Sequence, residues 1–262
     1  WYDRIPAPPS TPPPAPAVEA FDQTVILKLQ ADLARNPQNA RLYAQLGLAW
    51  LQQARVSADA QLYDRAQQAF KQALALDANL DDAFLGQGML ALSRHAFAEA
   101  LTWGEKAYAR NPYRADILGV LVDGYVELGR YDEAVVTLQK MVDLRPGLPS
   151  YSRVSYLREL YGDTTGAISA MQKAAAVGVP GTEAMLWAQV QLGHLYFNRG
   201  DFDAARRAYA YALWLRPDYD HALAGMANLA VAAGDPAAAI ARYETIVRRL
   251  PLPVYLITLG DL

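Results

Sequence analysis

The sequence predicts an all-α fold, an α-solenoid of antiparallel helix pairs, and three observations carry that prediction. Apolar residues recur at helical spacing from Glu19 onward, with no alternation of the kind a half-buried strand shows. One segment is then restated along the chain: YDEAVVTLQKMVDLRPG at Tyr131–Gly147, FDAARRAYAYALWLRP at Phe202–Pro217, and in looser form FAEALTWGEKAYARNP, YDRAQQAFKQALALDA and PAAAIARYETIVRRLP. The alanine after the turn into each restated helix falls at Ala66, Ala100, Ala134, Ala167, Ala205 and Ala239, with spacings of 34, 34, 33, 38 and 34. A unit restated in this way cannot bury its apolar face alone and stacks on copies of itself.

Composition supports such an array and removes several other classes. The 262 residues are 53% hydrophobic and 19% charged, enough to build an extended packed core. A net charge of -3 and a pI near 5.6 give none of the clustered cationic charge that nucleic-acid binding needs. The absence of cysteine excludes disulfides, thiolate catalysis and Cys-ligated zinc. No apolar run approaches the roughly 20 residues of a membrane-spanning helix. Arginine outnumbers lysine 19 to 5 and alanine is abundant, a pattern of GC-rich, bacterial genes. The chain starts at Trp1 rather than Met, so a leader, anchor or upstream domain is expected to have been removed. The compartment is left open; these features lean toward a bacterial protein tethered outside the cytoplasm or to a membrane, with a cytoplasmic one as the alternative.

Taken in order, residues 1–18 read as a proline-rich tether. Ile5–Ala17, IPAPPSTPPPAPA, cannot be helical, because each proline removes a backbone donor and clashes with the preceding turn. It reads as a semi-rigid spacer, without the flanking basic residues that would orient it in a polyproline-binding domain. Residues 19–38 form a lone capping helix that ends at Pro37. Residues 39–251 hold six helix pairs. Prolines close the second helices at Pro112, Pro146, Pro217 and Pro251, with Pro180 one residue late and Ala78 standing in the first. Within the pairs, Gly162-Asp163, Gly200-Asp201 and Gly234-Asp235 each offer a glycine to end one helix and an aspartate to cap the next. Seven extra residues around QARVSADAQLY predict that both helices of the first pair are longer by about a turn, and VGVPGTEAM predicts an early start, near Thr182, for the first helix of the fifth pair. Residues 252–262 restart the first helix of a seventh unit whose apolar face has no second helix to cover it.

These residues resemble the tetratricopeptide repeat family. Its pattern of aromatic, Leu-Gly and aromatic in the first helix, then small, aromatic and small in the second, appears as Tyr43, Leu46-Gly47 and Trp50 with Ala66, Phe70 and Ala73. It appears again as Leu192-Gly193 and Tyr196 with Ala205, Tyr209, Ala212 and Pro217. The resemblance runs from about Asn39 to the C-terminus and implies a right-handed superhelix. Repeat four departs from the pattern, with Ser155 for the glycine and Met171 for the aromatic, and looser packing is expected there.

The resemblance also implies that first helices line a concave groove where protein partners bind. Projection onto that face gives Gln45, Leu48, Leu85, Met89, Asp123, Glu127, Arg153, Tyr156, Glu159, Gln191, His194, Phe197, Asn198, His221, Asn228 and Val231. Aromatics there would supply contact area and amides would bond a partner's backbone. Two specialisations of the family do not fit. The chaperone-tail clamp would need lysines and asparagines where Ala44 and Leu48 stand. The asparagine ladder of sugar-transferase arrays is replaced by Gln45, Gly86, Val120, Arg153, Gln191 and Gly225.

No catalytic constellation is visible. His95, His194 and His221 lie in separate repeats without a carboxylate or histidine at metal-ligand spacing, and there is no phosphate loop or nucleophile elbow. The expectation is a non-catalytic scaffold with no metal, cofactor or small-molecule substrate, binding a protein or peptide. The alternatives are a self-association module acting through the C-terminal helix, or a recruiting or regulatory arm of a larger enzyme or membrane-bound machine.

Overall fold

The computed structural model describes residues 18–262, with side chains from Thr24 onward, so the proline-rich segment lies outside the described residues. The described residues hold fourteen helices and no strand. They divide into two compact units, one ending at Arg153 and the other starting at Val154. The N-terminal unit contains α1 (Val18–Arg35), α2 (Ala40–Ser57), α3 (Gln61–Leu76), α4 (Asp81–Ser93), α5 (Phe97–Arg110), α6 (Ala115–Glu127) and α7 (Tyr131–Leu144). The boundary falls within α8 (Leu148–Leu160). The C-terminal unit continues with α9 (Thr164–Val177), α10 (Glu183–Asn198), α11 (Phe202–Leu215), α12 (Asp220–Ala232), α13 (Pro236–Arg249) and α14 (Pro253–Gly260).

Each unit follows one packing rule. A first helix packs on its second helix and on the next first helix, as α2 does on α3 and α4, and α10 on α11 and α12. The turns between them are set chemically. Gly162, Gly200 and Gly234 take φ of +77°, +82° and +76°, the left-handed conformation that ends a helix. The adjacent aspartates accept the first free N–H groups of the next helix: Asp163 from Gly166 (2.8 Å), Asp201 from Ala204 (3.1 Å) and Asp235 from Ala238 (3.0 Å). His95 carries the same turn in the second pair, at φ +57°.

The core depends on large rings entering gaps left by glycine. Phe70, fully buried on α3, occupies the space that side chains on both Gly47 (α2) and Gly86 (α4) would fill. Tyr209 on α11 lies in the same way between Gly193 (α10) and Gly225 (α12), where a Cβ on Gly225 would meet the ring at 2.5 Å. In the second pair the arrangement is inverted. Gly104 stands where the ring would be, and Val120 and Leu121 of α6 reach into the space it leaves. Arginines pin consecutive helix starts: Arg114 bonds Asp81 (3.2 Å), Asp82 (2.5 Å) and Asp116 (2.7 Å), and Arg216 bonds Glu183 (2.7 Å), which also accepts from Tyr219 (2.7 Å).

Three expectations are corrected. The lengthening of the first pair is unequal: α2 has 18 residues against 13 in α4 and α6, while α3 has 16 against 14 in α5 and α7. Ala58, at φ +54°, ends α2 after this extension. Packing around Ser155 is closed rather than loose. That serine is 1% exposed and donates to the carbonyl of Ala167 at 2.8 Å, and Met171 is buried in the core. Leu85, projected onto the binding face, is 2% exposed and belongs to the core.

Gly193→Ala is expected to destabilise the chain by roughly 1–3 kcal/mol, because the added methyl and the Tyr209 ring cannot share the same space. Urea unfolding measures this; an unchanged midpoint would remove the ring-in-gap account of that helix pair.

Candidate functional site

In the C-terminal unit, α10 exposes one stripe while most of its remaining residues are buried. Trp187, Gln191, His194 and Asn198 recur at the spacing of a single helix face, with Trp187 40% exposed, Gln191 and His194 half-buried and Asn198 exposed. Phe197 is half-buried next to this stripe, its ring centroid 5.3 Å from that of Phe202. Asn228 occupies the equivalent face of α12, and Tyr156, on α8, is 46% exposed. Trp187 is absent from the sequence-derived set, although its place four residues before Gln191 puts it on the same stripe.

Two of these polar residues are held from behind. The hydroxyl of Tyr209 lies 2.8 Å from His194 Nδ1, with the rings edge-on at 5.5 Å. The hydroxyl of Tyr243 donates to Asn228 Oδ1 at 3.0 Å. Burial is the main cause that lowers the pKa of His194 from its ordinary value, and the nearby charge of His221 adds to it, so the neutral imidazole is favoured. Burial also raises both tyrosines, which keeps their hydroxyls protonated.

In the N-terminal unit, Gln45 is exposed on α2 and Met89 is half-buried on α4, packed against the core. Asp123 and Arg153 are brought together: Arg153 donates through Nε and a terminal nitrogen to the two carboxylate oxygens at 2.7 and 2.6 Å. The guanidinium passes over Gly119, where a Cβ would lie 3.2 Å away. These two residues therefore use much of their hydrogen-bonding capacity on each other. The α2 extension adds Arg55 to the face that carries Leu48 and Gln52. Arg55 keeps solvent contact, yet burial lowers its pKa, with Tyr63 opposing, Arg153 reinforcing and Asp123 opposing.

Two hollows lie away from the expected residues. A cleft of about 540 Å³ opens between α1, α2 and α3, lined by Gln30, Tyr43, Trp50, Arg65, Gln68 and Gln72. A smaller one of about 190 Å³, between α5, α6 and α7, includes Tyr108, Tyr125 and Lys140. Among the described residues no group of three His, Asp or Glu side chains is placed to hold a metal ion, and no helix is long and apolar enough to cross a membrane.

Two family models, both described as Tetratricopeptide repeat, match this helix-pair pattern, one over residues 91–158 and 196–256 and the other over residues 53–115. The chain belongs to the tetratricopeptide repeat family. No curated protein sequence matches it. Among solved structures, this tetratricopeptide chain is similar to one from the APC/C hetero-tetramer Cut9-Hcn1, with a TM-score of 0.74 and 17% identity, covering 93% of this chain and 46% of that one. It thus spans about half the length of that relative. TTC0263, a thermophilic TPR protein of Thermus thermophilus, is similar at a TM-score of 0.62 and 23% identity, over 74% of this chain and 99% of that one. PilW, a type IV pilus biogenesis factor, is similar at a TM-score of 0.62 and 16% identity, over 84% and 97%. At these identities the likeness is one of fold.

The lowered pKa of His194 gives a signed prediction. Below about pH 6.5 the unfolded histidine takes up a proton that the folded one resists, so stability is full above that pH and falls as the pH drops through the lower folded value. Urea unfolding at pH 7.5 and 5.0 should show a larger loss for the wild type than for His194→Gln. Equal losses would contradict the buried neutral imidazole.

Proposed function

We propose that this tetratricopeptide array is a non-catalytic protein-interaction scaffold that takes a peptide segment or helix on the exposed faces of its first helices. The observation that carries the reading is the α10 stripe. A helix otherwise given over to the core keeps Trp187, Gln191, His194 and Asn198 in contact with solvent, beside Phe197 and Asn228. Aromatic surface and amides together suit a partner that presents both side chains and backbone. Tyr156, Phe197 and Asn198 are the residues through which binding is best tested.

The full chain and its Tyr156→Ala, Phe197→Ala, Asn198→Ala variant, shown by melting to be folded alike, are used to capture proteins identified by mass spectrometry. A protein retained by the wild type and reduced at least fivefold on the variant is the expected outcome. Equal retention by both would move the binding surface off these faces.

A second reading, self-association, is favoured by α14, where Val254, Leu256 and Ile257 are 60%, 47% and 63% exposed. Light scattering of the wild type and of Val254→Asp, Ile257→Asp decides it. Self-association predicts a larger mass for the wild type, and equal monomer masses remove this reading.

A further inference from the structure

His194 and Asn228 each lie fifteen residues before the tyrosine that bonds them. Tyr209 is fully buried and Tyr243 is 4% exposed. A buried phenol that fails to donate its proton keeps an uncompensated desolvation penalty. The one group bonded to Tyr209 Oη among the described residues is His194 Nδ1, so a phenol that donates its proton donates it there, and Tyr243 Oη donates to Asn228 Oδ1. Acceptance at Nδ1 sets neutral His194 as the Nε2–H tautomer. Acceptance at Oδ1 leaves the Asn228 amide with its NH2 turned away from the core. Neither His194 Nε2 nor Asn228 Nδ2 bonds another described residue.

The other pairs show when the hydroxyl is present. In the first pair the ring is Phe70, which has no hydroxyl, and the residue in the place of His194 is Leu48, which packs with Phe70 in one cluster. In the next three pairs the place of the ring is taken by Gly104, Leu138 and Met171, facing the places of Met89, Asp123 and Tyr156. A phenolic hydroxyl occurs at this position only where the facing residue is His194 or Asn228. Core packing alone would be satisfied by phenylalanine, as Phe70 demonstrates.

We infer that Tyr209 and Tyr243 are positioning residues that turn His194 Nε2–H and Asn228 Nδ2–H2 outward as paired donors for the main-chain carbonyls of an extended partner segment. This deepens the scaffold reading and rests on it. An extended chain leaves carbonyls free, whereas a helix bonds its own. Helices α10 and α12 pack directly on each other. In an extended polyproline II segment, with three residues per turn rising ~3.1 Å each, carbonyls three residues apart face the same side, and their spacing matches the usual ~8–10 Å between packed helices.

The test is long-range 15N–1H correlation of the histidine rings in the full chain at pH 7.5. The expected spectrum has His194 protonated on Nε2 with a hydrogen-bonded Nδ1. Tyr209→Phe, which keeps the ring, should remove that bond signature and let the Nδ1–H tautomer appear, while the melting temperature stays close to wild type. A wild-type His194 protonated on Nδ1, or a ring spectrum indifferent to Tyr209→Phe, would overturn the inference. Titration with N-methylacetamide, a single peptide bond, tests the outward donors. Shifts at the His194 Nε2–H and Asn228 amide should exceed those at exposed Asn36 and Asn79, and should fall at least twofold in Tyr209→Phe, Tyr243→Phe. Shifts no larger than at those surface amides, or unchanged in the double variant, overturn it. An empty capture experiment would sink the scaffold reading without altering the imidazole spectrum, so the two failures are distinguishable.

Discussion

A ring enclosed between two glycines is the constraint on which the rest of each unit depends. Phe70 meets Gly47 of its own pair and Gly86 of the next, and Tyr209 meets Gly193 and Gly225 in the same relation. The backbones of successive first helices approach closely because nothing but hydrogen projects from these glycines. The ring then fills the space between them, so that neither pair is closed without the other. Protein interiors are packed too densely to leave such a gap empty or to admit both ring and methyl. A repeat of this kind gains its stability from its neighbours.

The same constraint shapes the exposed faces. Gly86 and Gly225 occupy positions where other arrays of the family carry ladder asparagines, and the ring of the preceding pair uses that space. Partly exposed polar side chains stand three residues along, Asn228 after Gly225 and His194 after Gln191. There the hydroxyl of the packing ring reaches the polar side chain from behind. One aromatic residue thus fills the core and bonds a partly exposed side chain. The N-terminal unit meets the problem differently, with Arg153 laid over Gly119 and bonded through both oxygens of Asp123.

The fold was legible because its signals are local. Gly162-Asp163, Gly200-Asp201 and Gly234-Asp235 state both a stop and a cap within two residues, and the resulting turns carry both features. The exposed faces of the first helices were less legible, because a projection treats each helix alone. Asp123 and Arg153 lie thirty residues apart and project to the same face, yet only three-dimensional packing shows that they bond each other. Leu85 projects outward by periodicity but is covered by neighbouring helices. The extra residues of the first pair announced added length, but their division between α2 and α3 depends on where the chain adopts left-handed backbone, at Ala58. Trp187 escapes the projection because it precedes the segment that matches the family pattern.

The most direct test of the central claim is native-state hydrogen exchange of the full chain carrying Tyr209→Leu, which shrinks the ring without removing the apolar contact. If the ring couples successive pairs, protection should fall together in α10 and α12, the two helices whose glycines it touches, and by similar amounts. Loss of protection confined to α11, with α10 and α12 as protected as in the wild type, would contradict the coupling and reduce Tyr209 to a residue that fills its own helix pair.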